Sequence, residues 1–336
     1  MKVAVIGAGR IGCVHIENIS TGVPEMEIKT VADPFLSEAG EAVARKYNIP
    51  NITKDVDGIF SDDDIEAVLI CSSTDTHADL IIRAAEAGKH IFCEKPVDHD
   101  VGRVRTALAA VKEAGVKLQI GFVRRFDHNH HAVYEAVRNG EIGEPHILRI
   151  SSRDPAPPTI EYVKRSGGIF YDMMIHDFDM IRFLAGCEVT EVYAKGAVLV
   201  DPAIGAEGDV DTALVTLTFE NGAIGVIDNS RQAVYGYDQR LEVFGSKGSV
   251  SDSNDSANNI VICHADRTIS GTAYHVMWDR YTQAFIDEMK AFADAVINDK
   301  TPLVTDLDGL YPVLMAAAAN KSVKEGRPVK ISEIDG

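Results

Sequence analysis

Residues 1–33 read MKVAVIGAGRIGCVHIENISTGVPEMEIKTVAD and contain the features that decide the fold. A short apolar strand near Lys2 to Ile6 runs directly into Gly7-Ala8-Gly9-Arg10-Ile11-Gly12. Glycines at this spacing allow a tight turn, close approach of the backbone to a pyrophosphate, and close packing of the next helix on the strand. A second strand ends at Asp33, 21 residues after Gly12, where a carboxylate can accept from ribose hydroxyls. The stretch predicts the start of a dinucleotide-binding Rossmann domain.

The residue at the end of the second strand also indicates which dinucleotide binds. Asp33 would repel a 2′-phosphate, and Pro34, Phe35 and Leu36 supply no cation to hold one. A GxGxxG pattern alone is a weak signal, since a tight packing turn also needs glycine. Together with the strand before it and Asp33 after it, the pattern favours NAD over NADP.

The rest of the chain predicts an α/β protein of two domains. Apolar runs alternate with helical stretches up to residue 122, which is typical of a parallel sheet. The second domain is expected to comprise residues 123–336. From about residue 145 long alternating runs predict a largely antiparallel, open sheet there, with Asn221-Gly222 as a hairpin turn. Helical periodicity near 279–297 and 309–324 leaves open that these helices pack back on the first domain. The further strands of the first domain are expected near Ile28–Ala32, Ala67–Cys71, His90–Cys93 and Lys117–Ile120.

Composition excludes several classes of partner. The 336 residues suggest roughly two domains at about 150 residues each, and the formal charge of -18 repels nucleic acid and anionic lipid. No apolar run approaches the roughly 18 residues of a membrane span. The five cysteines form no close pair, which favours a reducing, cytoplasmic location.

Two polar segments follow predicted strands at the carboxyl edge of the first sheet, where ligands bind in such folds. In the first, Ser73, Thr74 and His77 are candidate cofactor contacts, and helix capping by Ser73, Thr74 or Asp75 is the alternative. In the second, Glu94 and Lys95 are further candidate cofactor contacts. Glu94-Lys95-Pro96 also places an ammonium where it can bind a substrate hydroxyl and stabilise developing alkoxide charge. An exposed surface lysine is the alternative for Lys95 taken alone.

A polar set lies on an otherwise apolar helical stretch near residues 169–184. Asp172, His176 and Asp179 are spaced i, i+4 and i+7 and therefore share one face of a helix. A buried Asp and His need each other or a ligand. The alternatives are a structural Asp-His pair and a metal site, and the latter is disfavoured because hydride transfer needs no metal when a His takes the proton.

The run Asp127-His128-Asn129-His130-His131 also offers metal ligands. It precedes a helical stretch, so we interpret Asp127 or Asn129 as its cap and the histidines as a solvated helix start. We predict no metal in this protein.

Longer segments resemble the glucose-fructose oxidoreductase and inositol dehydrogenase family over nearly the whole chain. Two segments are typical of the wider family: CEKP at 93–96 and the Asp-x-x-x-His within SGGIFYDMMIHDFDM at 166–180. Those similar to the inositol branch are RRFD within 121–127, SRDPAPP at 152–158 and RQAVYGYDQR within 228–248.

The resemblance implies oxidation of a ring hydroxyl of myo-inositol, with NAD taking the hydride. It implies a catalytic group of Lys95, Asp172 and His176, in which His176 is the general base, Asp172 orients it and Lys95 binds the reacting oxygen. It also implies a cis Lys95-Pro96 bond and a homotetramer formed through the antiparallel sheets. The candidate substrate contacts in or beside inositol-type segments are Arg125, Asp154, Tyr235 and Tyr281.

Several alternatives remain open from the sequence. Val123, Tyr171 and residues 275–281 depart from the inositol pattern, so the substrate could instead be scyllo-inositol, chiro-inositol or a hexopyranose. A non-catalytic NAD-binding regulator is the alternative of another class. Such a regulator has no chemical need for all three residues of the catalytic group.

Overall fold

The computed structural model describes residues 1–335 and divides into two compact units. The first comprises Met1–Phe126 with Thr282–Val313, and the second Asp127–Tyr281 with Leu314–Gly336. The boundary between the units follows residue 126, whereas the sequence pattern places it after residue 122.

A six-stranded parallel sheet forms the centre of the first unit. The strands pair in the order β3-β2-β1-β4-β5-β6. Five of them were predicted to within two residues. The third was missed because its three residues are partly exposed and show no apolar run. The strands are β1 (Lys2–Ile6), β2 (Glu27–Ala32), β3 (Asn51–Thr53), β4 (Ala67–Ile70), β5 (His90–Glu94) and β6 (Leu118–Gly121).

Helices connect these strands and bury their apolar faces against the sheet. Val3, Val5, Leu69 and Phe92 are fully buried in one cluster with side chains from these helices. Asp100 caps its helix by accepting from the Arg103 amide. The helices are α1 (Arg10–Gly22), α2 (Glu38–Lys46), α3 (Asp57–Phe60), α4 (Thr74–Glu86) and α5 (Val101–Ala114), followed by a 3-10 turn at Val123–Phe126.

The second unit contains the predicted open, mostly antiparallel sheet. Its seven strands pair in the order β12-β11-β7-β10-β9-β8-β15, and β7 with β10 is the parallel pair. These strands are β7 (Pro145–Arg153), β8 (Val189–Ala197), β9 (Thr212–Phe219), β10 (Ile224–Ser230), β11 (Asp238–Gly245), β12 (Gly248–Asp252) and β15 (Val329–Lys330). A separate hairpin consists of β13 (Val261–Cys263) and β14 (Thr268–Ser270).

The turn between β9 and β10 differs from the predicted two-residue turn. Four residues, 220–223, connect the strands, and Gly222 has φ 84° whereas Asn221 does not have a positive φ. A type I′ turn needs positive φ at both central residues. The Asn-Gly pair therefore predicted the position of the hairpin correctly, but it did not predict the type of turn.

Helices cover the sheet of the second unit on one side. Between Ile175 and Ala185 nearly every side chain is buried, as the apolar periodicity predicted. The helices of the second unit are α6 (His128–Arg138), α7 (Ile160–Ser166), α8 (Ile169–Asp172), α9 (Ile175–Ala185), α10 (Pro202–Ala206) and, at the end of the chain, α13 (Ser332–Asp335). From Thr282 onward α11 (Met277–Ile297) belongs to the first unit, where Met289, Phe292 and Ala293 join the core. α12 (Asp306–Glu325) begins in the first unit and continues in the second from Leu314. None of the helices in residues 1–335 has the length and hydropathy of a membrane span.

Candidate active site

The turn between β1 and α1 has the shape that a bound pyrophosphate requires. Gly7 has φ 96°, and a Cβ placed there would lie 2.7 Å from the Cys71 carbonyl carbon. A Cβ at Gly12 would lie 2.0 Å from the Gly7 oxygen, so the helix can pack on the strand only with glycine there. At Gly9 an added Cβ would meet nothing within 4 Å. The loop is therefore tight on its protein side and open on the other.

The first turn of α1 is also suited to an anion. Gly9 is the N-cap and supplies no side-chain hydrogen bond to the helix. The first amides of a helix need acceptors, and the positive end of the helix dipole favours a phosphate there. Arg10 is exposed at this end, and Ile11 packs against the core of the unit. The residues present fit a dinucleotide.

Asp33 connects the end of β2 to the glycine loop. Its Oδ2 accepts from the Ala8 amide at 2.8 Å and its Oδ1 from the Phe35 amide at 2.8 Å. Each carboxylate oxygen keeps acceptor capacity for a ribose hydroxyl. No cation lies at Pro34, Phe35 or Leu36, as noted from the sequence. Asp33 therefore has the position and the partners that NAD selection requires.

The segment after β4 presents small polar side chains at the same sheet edge. Ser73 is the N-cap of α4, makes no side-chain capping bond and is exposed. Thr74 is the first residue of that helix and is half-buried. Capping by the Ser73 side chain is thus not observed, and cofactor contact by Ser73 and Thr74 stays a prediction.

Two predicted cofactor contacts are buried instead. His77 is 1% exposed, with Nδ1 2.8 Å from the Pro96 oxygen and Nε2 3.0 Å from the Ser72 oxygen. Burial lowers the pKa of His77, and the two carbonyls oppose that shift only in part. Glu94 is 8% exposed and accepts from His15 Nε2 at 2.7 Å. Both side chains therefore help to hold the segment around Lys95, and direct cofactor contact by His77 and Glu94 stays a prediction.

Lys95 follows β5 directly and is half-buried. β5 lies next to β4, which lies next to β1, so Lys95 shares the sheet edge that carries the glycine loop. The Lys95-Pro96 peptide bond is cis, as the family resemblance implied.

In the second unit, Asp172 and His176 lie on two short helices instead of the predicted continuous one. α8 ends at Asp172 and α9 begins at Ile175. The linking residues Met173 and Met174 keep right-handed helical dihedrals, so Asp172 and His176 remain about one turn apart. Asp179, the third member of the predicted polar face, is 1% exposed.

A buried carboxylate beside His176 fixes the start of α9. Asp177 is fully buried and accepts from Ser152 Oγ at 2.6 Å and from Asn229 Nδ2 at 2.8 Å. These donors belong to β7 and β10, so the hydrogen bonds tie the helix to the sheet beneath it. His176 itself is half-buried. The backbone at His176 is therefore held in place through its neighbour Asp177.

Asp172 has two side-chain donors within the same unit. Tyr162 Oη donates to Oδ1 at 2.7 Å, and Arg231 Nη1 donates to Oδ2 at 2.9 Å. Asp154, a predicted substrate contact, lies 3.6 Å from the same Arg231 nitrogen. Sequence reasoning missed Arg231, although it lies in the inositol-type segment. An arginine directly after a strand resembles a surface residue until its burial is known.

Two other predicted substrate contacts, Arg125 and Tyr281, are buried and contact other residues of the protein. Arg125 is 3% exposed, with Nη2 2.7 Å from Asp308 Oδ1 and Nη1 3.1 Å from the Leu303 oxygen. Tyr281 is 0% exposed, and its ring meets that of Tyr237 edge-on at 6.0 Å. Neither placement supports the predicted contact with substrate.

The remaining candidate, Tyr235, lies in the connection between β10 and β11 and is 49% exposed. Its hydroxyl donates to Asp238 Oδ2 at 2.6 Å and accepts from Arg153 Nη1 at 2.9 Å. The structure brings Asp154 together with Asp172 through Arg231, and does not place Tyr235 among these hydrogen bonds.

The histidine run begins with the predicted cap but is not solvated throughout. Asp127 accepts from the Asn129 and His130 amides, and both Asp127 and His130 are nearly fully buried. Ligand atoms of Asp127, His130 and Asp252 lie within 4.8 Å of one another. Arg280 Nη2, however, is 3.4 Å from Asp127 and 3.5 Å from Asp252. A fixed guanidinium therefore already balances the two carboxylates.

Replacing Arg125 tests its structural assignment. Arg125→Met leaves Asp308 partly buried without its cation, so we expect the free energy of unfolding to fall by about 3 kcal/mol. The substrate KM should stay within about twofold, because the guanidinium is already bound to Asp308 and to the Leu303 oxygen. Urea unfolding and steady-state kinetics measure the two quantities. An unchanged unfolding midpoint with a greatly raised KM would restore the predicted substrate contact.

Comparison with known proteins agrees with this arrangement. Residues 1–122 match the oxidoreductase family with an NAD-binding Rossmann fold, and residues 130–251 match the GFO/IDH/MocA C-terminal domain. Myo-inositol 2-dehydrogenase of Thermotoga maritima is 45% identical over 336 residues, covering 100% of both chains. The scyllo-inositol 2-dehydrogenase (NAD(+)) of Bacillus subtilis is 39% identical, covering 98% of this chain and 96% of that protein.

A solved structure extends the comparison to three dimensions. The myo-inositol dehydrogenase of Lactobacillus casei, in complex with NAD(H) and myo-inositol, superposes with a TM-score of 0.88 at 27% identity. The match covers 98% of this chain and 96% of that one. With both domain matches and relatives of this identity over the full length, this chain belongs to the GFO/IDH/MocA family of NAD-binding oxidoreductases.

Proposed function

We propose that this protein oxidises one ring hydroxyl of myo-inositol to the inosose, passing the hydride to NAD and the proton to His176. The observation that carries the proposal is that the chain contains a suitable side chain for each chemical role of the reaction. Lys95 stands at the sheet edge that carries the NAD loop, and Asp172 and His176 stand one helical turn apart. A regulator that only binds NAD has no chemical need for the three together. The Thermotoga maritima relative supports the choice of substrate.

Each residue of the set has one role in the proposed reaction. NAD, when bound, accepts the hydride from the carbinol carbon. His176 accepts the hydroxyl proton, so that the C–O bond becomes a carbonyl as hydride departs. Asp172 orients His176 and favours its protonated form. The Lys95 ammonium binds the reacting oxygen and stabilises the negative charge that develops on it.

The isomer is open to a direct test. Discrimination among polyols depends on one or two hydroxyl contacts, and the Bacillus subtilis relative is a scyllo-inositol 2-dehydrogenase. NAD reduction should be followed at 340 nm with myo-, scyllo- and chiro-inositol and with hexopyranoses, and repeated with NADP. The highest kcat/KM with myo-inositol and NAD supports the proposal. A better scyllo-inositol, chiro-inositol or hexopyranose substrate would replace it, and no turnover of any polyol would favour the regulator.

Cofactor preference provides a second prediction. Asp33→Ser removes a charge and weakens the ribose contacts, so the ratio of NAD to NADP efficiency should fall by about 10- to 100-fold. Asp63→Ser, at an exposed position of the same unit, is the matched control and should leave the ratio unchanged. Wild-type protein that already prefers NADP would show that Asp33 has been assigned wrongly.

We further propose that the protein acts as a cytoplasmic homotetramer in polyol catabolism. The outer face of the seven-stranded sheet exposes Leu214, Ile224 and Phe244 by 49%, 53% and 46%. Apolar side chains on a flat sheet favour burial against a second copy. The five free cysteines fit a reducing compartment. Sedimentation equilibrium distinguishes one, two and four chains.

A further inference from the structure

Arg231 is a buried arginine of the second unit that the proposed reaction does not use directly. It follows β10, is 2% exposed, and donates its backbone amide to the Asp211 oxygen at 2.8 Å. Its Nη1 lies 2.9 Å from Asp172 and 3.6 Å from Asp154. Asp209 is the third carboxylate that acts on it. Each of these three carboxylates lies on a different segment of the unit.

The guanidinium stays charged in this buried place. Burial lowers the pKa of Arg231, but the carboxylates of Asp172 and Asp154 more than reverse the shift, so the pKa lies above its ordinary value. Its Nε and Nη2 have no hydrogen-bond partner among the described residues. A buried cation with unsatisfied donors contributes little net stability. This balance favours a functional reason for an arginine here.

Arg231 and Tyr162 together hold Asp172 in one orientation. One donor serves each carboxylate oxygen, which favours the ionised form and fixes the rotamer. The helix that ends at Asp172 is itself anchored, because the Ile169 amide donates to Asp209 Oδ1 at 3.1 Å. Asp172 is thus fixed through both its side chain and its backbone.

The same guanidinium offsets part of the negative charge on Asp172, which lies about one helical turn from His176. The three carboxylates and Arg231 leave two net negative charges, and Asp177 on α9 adds a further carboxylate that Ser152 and Asn229 hold. Negative surroundings stabilise imidazolium. Without Arg231 they would be more negative, and His176 would lose its proton only at higher pH.

We propose that Arg231 is a positioning residue that holds the Asp172 carboxylate and offsets the carboxylate charge around His176, and so sets the pH range in which His176 can accept a proton. The inference rests on the proposed function for its catalytic meaning. Its electrostatic content concerns the titration of one imidazole and can be measured without turnover.

The test compares Arg231→Gln with Arg231→Lys in the full chain. The His176 imidazole is followed by NMR from pH 5 to 9, and its signal is assigned by its loss in His176→Gln. Arg231→Gln should raise the titration midpoint by about half to one pH unit. In turnover, the pH at which kcat/KM for polyol oxidation rises should move upward equally. Arg165→Gln removes a charge from an exposed position of α7 and should change neither quantity.

Arg231→Lys separates charge from geometry. A lysine keeps the cation but loses the planar guanidinium. The His176 midpoint should stay within about 0.3 units of wild type while kcat falls about tenfold, because Asp172 is no longer held in place. If Arg231→Gln does not fold, the His176 midpoint and kcat of Arg231→Lys still test the inference.

The outcomes distinguish the two claims. An active wild type whose His176 midpoint and pH limb are unchanged in Arg231→Gln overturns the inference. A lysine variant that shifts the midpoint as far as the glutamine variant also overturns it. A wild type that oxidises no polyol overturns the proposed function, whereas a shifted His176 midpoint in Arg231→Gln would still support the electrostatic role.

Discussion

Lys95→Met is expected to lower polyol turnover by about 100- to 1,000-fold while NAD binding persists. Methionine keeps the length and much of the packing of the lysine side chain but removes the cation. The stabilisation lost is therefore that of the negative charge developing on the reacting oxygen, which exists only in the transition state. Such a loss lowers kcat and kcat/KM together.

The measurement pairs steady-state kinetics with NAD titration by calorimetry. Lys112→Met, at an exposed position in the last turn of α5, is the matched control and should keep wild-type values. Turnover within about twofold of wild type in Lys95→Met would show that the Lys95 cation takes no part in the reaction. Loss of NAD binding in the same variant would instead indicate that the lysine holds the cofactor.

Most of the parallel-sheet unit could be predicted from the sequence, because the residues that determine its strands and its glycine loop are close together along the chain. The turn at Gly7–Gly12 depends on backbone clashes with immediate neighbours, and Asp33 contacts that same loop through the Ala8 amide. The strands there are continuous apolar runs, so burial on both faces is visible in composition. Only β3, three residues long and partly exposed, lacks such a signal.

The parts of the site that could not be predicted depend on distant residues. Arg125 pairs with Asp308, 183 positions away, and no local pattern distinguishes that ion pair from a substrate contact. Arg231 pairs with Asp172, 59 positions earlier. The interruption between α8 and α9 was also hidden, because Met173 and Met174 keep helical dihedrals and preserve the apolar periodicity.

These differences change the hypothesis about substrate recognition. Asp154 remains a candidate substrate contact because it shares Arg231 with Asp172. The Tyr235 hydroxyl is bound by Asp238 and Arg153, so its contact with substrate stays a prediction. Arg125 in the first unit and Tyr281 in the second are held by other residues of the fold, so we expect further side chains to contact the polyol. The polar group around Arg231 is the first place to look for them.

His176→Ala is expected to lower turnover by about 100- to 10,000-fold and to abolish the rise of kcat/KM with pH. Oxidation needs neutral imidazole, so wild-type oxidation should rise as His176 loses its proton, and the reverse reduction should favour lower pH. His264→Ala, at an exposed position, is the control and should retain the wild-type profile. A pH limb that survives in His176→Ala would mean that another group takes the proton.

Asp172→Asn tests the partner of that base and should move the pH limb in the direction opposite to Arg231→Gln. Removing the carboxylate destabilises imidazolium, so His176 becomes neutral at lower pH and the limb moves downward. The maximal rate should also fall, because the base is weaker and because asparagine offers one acceptor oxygen to Arg231 and Tyr162 where the carboxylate offers two. The pH dependence of kcat/KM for both variants gives the comparison. Limbs that moved in the same direction would contradict electrostatic control of His176 by these two charges.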